Sequence, residues 1–413
     1  MVKQSRSVPK KDAKLQALSA IRVLEVAQWA AAPAAGAILA DFGADVIHVE
    51  HPIRGDGARG VVSIRAEAPF NYGWEQDNHN KRSIGIDIST ESGRGIIYEL
   101  VKRSDVFLAN LRPHEVRRYA LEYRKLSKLN HGLIYAIVTG YGRRGPDSGL
   151  PGYDYSAFWA RSGIMATLPQ PGTPLPFARP GIGDNTAAVV MAGAISLALL
   201  VRERTGIGQE VDISLLGTGI WVLNRDIDAS LITKRPTTQM NRGNVPNPLL
   251  NYYRCRDDKY IMLVNLQPDP YWAGFCKAIE QESIEHDERF NSIEKRRKNN
   301  TTLISIIDEA FARKTYGQMS RRLRKYGIIW APVQDTAEVA ADRQARANGC
   351  FARFNHPKYG PIELVMNPWK LSKTPASIRA PAPEFGQHTE EILLELGYTW
   401  EDIVKLKDRR IIN

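Results

Sequence analysis

Apolar strand-like runs alternate with helical segments along the first 140 residues, and this alternation limits the fold more than any other feature. Residues 21–27 (Ile-Arg-Val-Leu-Glu-Val-Ala) read as a buried strand, 30–41 as a helix with Pro33 near its start, and 44–50 as a second strand. A strand, a helix and a strand within some thirty residues form a βαβ unit. The series continues with strands over 83–88, 106–110 and 133–139 and a helix over 92–102. Such alternation implies an α/β fold, a Rossmann-like parallel sheet with helices on both faces. The turn after the first strand is Gln28-Trp29-Ala30-Ala31-Ala32-Pro33. It lacks the Gly-x-Gly-x-x-Gly fingerprint, which removes the support for a dinucleotide cofactor.

Farther on, Pro180-Gly181-Ile182-Gly183-Asp184-Asn185-Thr186 leads straight into an apolar helix. Gly181 and Gly183 allow a tight turn and close approach of a ligand. Asp184 or Asn185 is expected to cap the helix, which places a carboxylate beside unpaired N–H groups and the positive end of the helix dipole. An ordinary N-cap and a functional carboxylate both fit this pattern. The apolar run over 187–201 is interrupted by Gly193 and Ser196 and reads as a buried core helix, too short to span a bilayer.

With 413 residues, the chain divides on pattern into a basic tail (1–20), a large Rossmann-like domain (21–224), a small α+β domain (225–335) and a return segment (336–413). A net charge of +11 raises the question of a polyanionic partner. Part of the excess lies in the tail, and runs such as Lys295-Arg296-Arg297-Lys298 fit solvated helix faces. No interleaved aromatics or recognition motif accompany them, so neither nucleic acid nor a membrane is expected as partner. Cys255, Cys276 and Cys350 suggest neither a disulfide framework nor a metal site, and the first residues contain no apolar leader. A cytoplasmic protein is the expectation.

Several motifs in order resemble one family. They are Asp41-Phe42-Gly43-Ala44-Asp45-Val46-Ile47, Asn80-Lys81-Arg82-Ser83-Ile84, Thr139-Gly140-Tyr141-Gly142 with Gly145-Pro146, and Gly386-Gln387-His388-Thr389-Glu390-Glu391-Ile392-Leu393. From about Ile21 to its C-terminus the chain resembles the family III CoA-transferases, which include formyl-CoA transferase, carnitine CoA-transferase and the α-methylacyl-CoA racemases. Pro151-Gly152-Tyr153-Asp154-Tyr155-Ser156 and Pro246-Asn247-Pro248 resemble the 2-hydroxyacid branch, the phenyllactate and hydroxyisocaproate CoA-transferases.

The resemblance implies that Asp184 is the catalytic nucleophile, passing through an anhydride and an aspartyl-CoA thioester. It implies acyl-CoA and a carboxylic acid as substrates, with no tightly bound cofactor and no metal. Backbone N–H groups of the glycine turn are expected to serve the oxyanion. CoA contacts carried over from the family fall on Ala30, Ala31, Ile86, Asn110, Leu111 and Thr139, with Arg59 and Arg118 meeting phosphates. Thr139 stands in place of a lysine of formyl-CoA transferase, and His51 in place of an arginine. Tyr153, Gly183 and Gln267 are assigned to the substrate pocket, and Phe158, Trp159 and Trp221 are weighed between an acyl pocket and core. The family fold implies an interlocked homodimer. The alternative within the family is a 2-methylacyl-CoA racemase. Racemases carry a histidine where this chain has Tyr153 and a glutamate where Gln267 falls, so transfer is favoured. A non-catalytic CoA-binding protein is the third reading.

Overall fold

A computed structural model of the protein describes residues 16–60 and 68–413. The basic tail falls mostly on residues 1–15, outside the described residues. The expected βαβ unit is present as β1 (Arg22–Val26), α1 (Ala31–Asp41) and β2 (Asp45–Glu50). After it come α2 (Tyr72–Asn78), β3 (Arg82–Gly85), α3 (Glu91–Lys102), β4 (Val106–Ala109), α4 (Pro113–Arg118), α5 (Tyr123–Leu129) and β5 (Ile134–Thr139). Next are α6 (Ile164–Thr167), α7 (Ile182–Thr205), β6 (Glu210–Ser214), α8 (Leu215–Val222) and α9 (Asn224–Thr233).

The six strands form one parallel sheet in the order β3-β2-β1-β4-β5-β6. This is the doubly wound order, and it reverses direction between β1 and β4. Successive side chains of a strand enter opposite layers. Val23 and Val106 join the core beneath α1 and α7, while Leu24 and Phe107 join the core that includes Ile96, Leu100, Ile392 and Ile403. Because both faces are covered, β4 and β5 are buried throughout and read as continuous apolar runs.

The helices start and stop for local reasons. Thr90 Oγ1 accepts from the Gly93 N–H at the head of α3. At the end of α7, Gly206 adopts the left-handed conformation (φ 75°) and returns its N–H to the Arg202 carbonyl. The 24-residue length of α7 departs from the sequence expectation. Among the described residues it is one helix long and apolar enough to cross a membrane by length and composition. The expectation took its length from the apolar run over 187–201, whereas the helix also includes the turn residues Ile182–Thr186 and the polar end Arg202–Thr205. Ala187, Met191 and Ile195 of α7 are buried, whereas Leu197, Leu200 and Val201 are exposed.

The chain divides into two compact units. The first runs through Met165 and adds Phe177–Lys234 and Gly349–Asn413; the second is Ala166–Pro176 with Arg235–Asn348. The sequence reading places two breaks, at 224/225 and 335/336, near the later two of these four, and does not separate Ala166–Pro176. Within the second unit, the strands Leu250–Arg254, Tyr260–Val264 and Trp330–Val333 form an antiparallel sheet over a core of Tyr253, Phe275, Phe290 and Phe311. The antiparallel hairpin Phe351–His356 and Gly360–Val365, which belongs to the first unit, was not anticipated.

Candidate active site

A cavity of about 600 Å³ lies at the carboxyl ends of the parallel strands in the first unit. Its wall includes Val26 to Ala31 at the end of β1, Val49 to His51 at the end of β2, Ile86 and Ile88 after β3, Asn110 to Pro113 after β4, and Val138 to Gly140 at the end of β5. At about 4.8 Å between neighbouring strands, the four steps from β3 to β5 span about 19 Å. The crossing point of β1 and β4 is tied by Asn110, whose amide donates to the Gln28 carbonyl (2.6 Å) and accepts from the Gln28 N–H (3.1 Å).

Of the residues singled out in the sequence, the structure brings Ala30, Ala31, Ile86, Asn110, Leu111, Thr139, Tyr153 and Asp184 onto this one wall. Thr139 is buried, with its hydroxyl accepting from the Gly142 N–H at 3.0 Å. Four candidates are not on the wall. Gly183 lies buried just before Asp184. Arg118 is exposed beside Tyr119, 5.6 Å from its ring centre. Gln267 is an exposed loop residue of the second unit. Arg59 is occupied elsewhere: it makes two 2.7 Å bonds to the buried Glu50 carboxylate, donates to the Pro383 carbonyl and stacks 3.9 Å over Trp74. Phe158 and Trp159 are core, and Trp221 is 72% exposed, so none of the three lines the cavity.

The cap expectation needs correction. Helix α7 begins at Ile182 with Gly181 as its N-cap, in the left-handed conformation (φ 80°), and no side chain of its own turn caps it. Asp184 is therefore the third residue inside the helix. Asp154 supplies the acceptors instead: its Oδ2 takes the Gly181 N–H (2.7 Å) and its Oδ1 the Gly183 N–H (2.9 Å). Asp154 heads a short π-helical turn, Asp154–Ala160, and is 4% exposed. Those two N–H groups are thus unavailable to a substrate oxyanion. In the sequence Asp154 stands out only as part of the motif Pro151-Gly152-Tyr153-Asp154-Tyr155-Ser156. A carboxylate twenty-seven residues upstream leaves no local signal at the turn it caps.

Asp184 itself is half-buried, opens on the cavity and accepts no hydrogen bond from the described residues. Burial, and then the charge of Asp154, push its carboxyl up to about 7. Asp77 on α2 is likewise raised to about 7, mainly by burial, with Lys81 opposing and Asp184 adding to the rise.

The β2 side of the cavity rests on a buried ionic network that the sequence did not reveal. Lys81 Nζ donates to both Glu25 oxygens (2.8 and 3.0 Å), to the Pro33 carbonyl and to Asn78. His48 Nδ1 meets Glu25 at 2.6 Å, and its Nε2 faces Asp56 Oδ2 at 3.5 Å, an ion-pair distance. Asp56 in turn accepts from the N–H groups of Trp29 and Ala58. Trp29 is held at φ 69°, a backbone region that non-glycine residues seldom occupy, and forms part of the wall. Arg54 adds charge on the same side, and Arg112, beyond β4, is paired to Glu115 at 2.9 Å. Arg54 makes no side-chain bond among the described residues.

The comparisons agree with one another. The profile described as CoA-transferase family III matches residues 18–389. The chain is 31% identical over 398 residues to (R)-2-hydroxy-4-methylpentanoate CoA-transferase of Clostridioides difficile, covering 96% of this chain and 99% of that protein. It is 32% identical over 400 residues to cinnamoyl-CoA:phenyllactate CoA-transferase of Clostridium sporogenes, covering 95% and 97%. Among solved structures, a CAIB/BAIF family protein from Brucella suis superposes with a TM-score of 0.81 at 27% identity, over 92% of this chain and 99% of that one.

Proposed function

The chain belongs to CoA-transferase family III, and from that premise we propose that it moves CoA from an acyl-CoA donor to a carboxylic acid through intermediates carried on Asp184. The observation that carries this reading is the Asp184 carboxylate, free of hydrogen bonds from the described residues and open to a cavity that crosses the ends of five strands.

An ionised Asp184 oxygen attacks the thioester carbon; the C–S bond breaks, CoA leaves as thiolate and a mixed anhydride forms. The thiolate attacks the aspartyl carbonyl and expels the donor acid as carboxylate, leaving an aspartyl-CoA thioester. An acceptor carboxylate then attacks the aspartyl carbonyl and releases the thiolate. Attack of that thiolate on the acceptor carbonyl yields the new acyl-CoA and restores Asp184. Each bond broken is matched by one of similar reactivity, and no proton is gained or lost. The nucleotide lies toward the β2–β3 side, between Ile86 and Ile88, with Arg54 as the guanidinium for phosphate. Leu150, Pro151, Tyr153 and Leu215 line the same cavity as Asp184 and suit an apolar acyl group. The acids named for the two relatives make a 2-hydroxy acid with a branched or aromatic side chain the first choice. Tyr153 in the place of the racemases' histidine counts against α-proton exchange. A homodimer belongs to the same reading, supported by exposed Leu197 (67%), Trp221 (72%) and Ile232 (81%).

The test is exchange between an acyl-CoA and a free acid, read by mass spectrometry, on wild type and Asp184→Ala. Asp184→Ala is expected to lose exchange while keeping its melting temperature, and wild type treated with acyl-CoA alone should carry CoA on the peptide containing Asp184. Turnover in the variant near the wild-type rate would remove the reading. Deuterium entry at the α-carbon without CoA exchange would replace it with racemisation.

A further inference from the structure

An aspartate in the first turn of a helix is ordinarily quieted by the backbone N–H groups and dipole around it. Asp184 is in that position, yet the N–H groups of Gly181 and Gly183 are both taken by Asp154. Asp154 is held in place by these two bonds and is itself 4% exposed at the head of the π-helical turn. Gly183 is required for the arrangement, because a Cβ there would lie 2.5 Å from Phe158 Cβ and closer still to Asp154 Oδ1.

We propose that Asp154 is a positioning residue: it takes up the N–H groups of Gly181 and Gly183 at the head of α7, so that the Asp184 carboxylate faces the thioester without the hydrogen bonds from them that would blunt its attack. This rests on Asp184 being the nucleophile. A carboxylate that keeps its electron density attacks better than one sharing it with two donors, and the negative charge of Asp154 acts in the same direction. Burial and that charge raise Asp184 to about 7. Burial also raises the Asp154 carboxyl, opposed by its bonds from Gly181 and Gly183, and the other charged group acting here is Asp77 on α2, with Lys81 and His79 acting on Asp77. Helices α1 and α8, both near α7, present no titratable side chain in their first turns (Ala31, Ala32, Pro33; Leu215, Leu216, Gly217).

The experiment is kcat/KM for CoA exchange from pH 5 to 9 on full-length wild type, Asp154→Asn and Asp184→Ala. In wild type the rate should fall about tenfold between pH 8 and pH 6 as Asp184 takes up a proton. Asp154→Asn should have a lower plateau, since one amide oxygen cannot accept both N–H groups. Its acid limb should also move to lower pH, leaving a fall of less than about threefold over the same interval. A role confined to holding the turn would lower the plateau and leave the limb where it was, and that result overturns the inference. Asp184→Ala separates the two claims: if it is active, the underlying reading fails; if it is inactive and the limb of Asp154→Asn is unmoved, only the inference fails. Should Asp154→Asn not fold, carbodiimide labelling of Asp184 in wild type, followed by peptide mass spectrometry against pH, decides. A midpoint near 7 supports the proposal, and one near 4 overturns it.

Discussion

Two glycines of one helix should respond to alanine in opposite directions. In an α-helix alanine is favoured over glycine by about 1 kcal/mol, chiefly through the entropy of the unfolded chain. At Gly193 of α7 the nearest atom to a new Cβ is Trp369 Cζ2 at 3.9 Å, an ordinary contact, so that gain should appear nearly whole. At Gly183 the Cβ would lie 2.5 Å from Phe158 Cβ and closer to Phe158 Cγ and Asp154 Oδ1. Overpacking of this kind costs about 1–3 kcal/mol. Displacing the Asp154 carboxylate weakens two charged hydrogen bonds worth about 1.5–3 kcal/mol each. The helix gain cannot offset these, and Gly183→Ala should be destabilised by about 2–5 kcal/mol. Urea unfolding followed by tryptophan fluorescence, with the CoA-exchange assay alongside, measures both variants. Gly193→Ala should unfold at a higher urea midpoint and keep its activity; Gly183→Ala should unfold earlier and lose most of it. A Gly183→Ala protein as stable as wild type would refute the packing reasoning, because the only term left would be the helix preference.

Further outcomes follow from the ionic network and the cations. His48 is pushed up to about 9: burial acts to lower it, and Asp56 and Glu25 outweigh burial. Its folded value lies above the ordinary 6.5, so its stabilisation is complete below pH 6.5 and lost as pH rises through 9. On the order of 3 kcal/mol should disappear over that window in wild type and not in His48→Gln; equal losses in the two proteins would refute the assignment. Lys81→Met leaves the buried Glu25 with His48 as its remaining ionic partner and should cost about 3–5 kcal/mol in urea unfolding; a cost below about 1 kcal/mol would show the network to be dispensable. Arg59→Met should lower the unfolding midpoint by stranding Glu50, yet change CoA affinity less than about threefold, whereas Arg54→Ala should weaken CoA by about tenfold, near 1.4 kcal/mol, in calorimetry.

The family motifs were legible as a pattern, and the structure supplies their physical sense. Asp41 receives His79 (2.7 Å), Asn80 (2.9 Å) and Asn367 (2.9 Å), joining the first motif to the second and to the C-terminal segment. Lys81 is buried in the network, and Arg82 pairs with Asp45 and Glu395. His388 and Thr389 accept from the N–H groups of Ser83 and Gly85, which fixes the last motif against β3. These residues lie close in space though three hundred positions apart in sequence, so they recur together for reasons of packing and hydrogen bonding. The resemblance assigns Arg59 to phosphate, whereas in the structure its guanidinium is paired with the buried Glu50, a contact the sequence does not show.

Composition and periodicity determined what depends on neighbours along the chain. They gave the βαβ alternation, the strands on both sides of the switch point, the glycine turn, and the absence of a dinucleotide fingerprint. These are local properties, set by steric preference and by which face of an element is apolar. The tertiary structure decided where the electrons and charges go. Asp154 rather than Asp184 caps α7, and that exchange between two carboxylates rests on a contact across twenty-seven residues. The energy of burying a charge depends on every group that surrounds it, and those groups arrive from distant parts of the chain. The sequence could therefore point to Asp184, while its freedom from the helix end was settled only by folding.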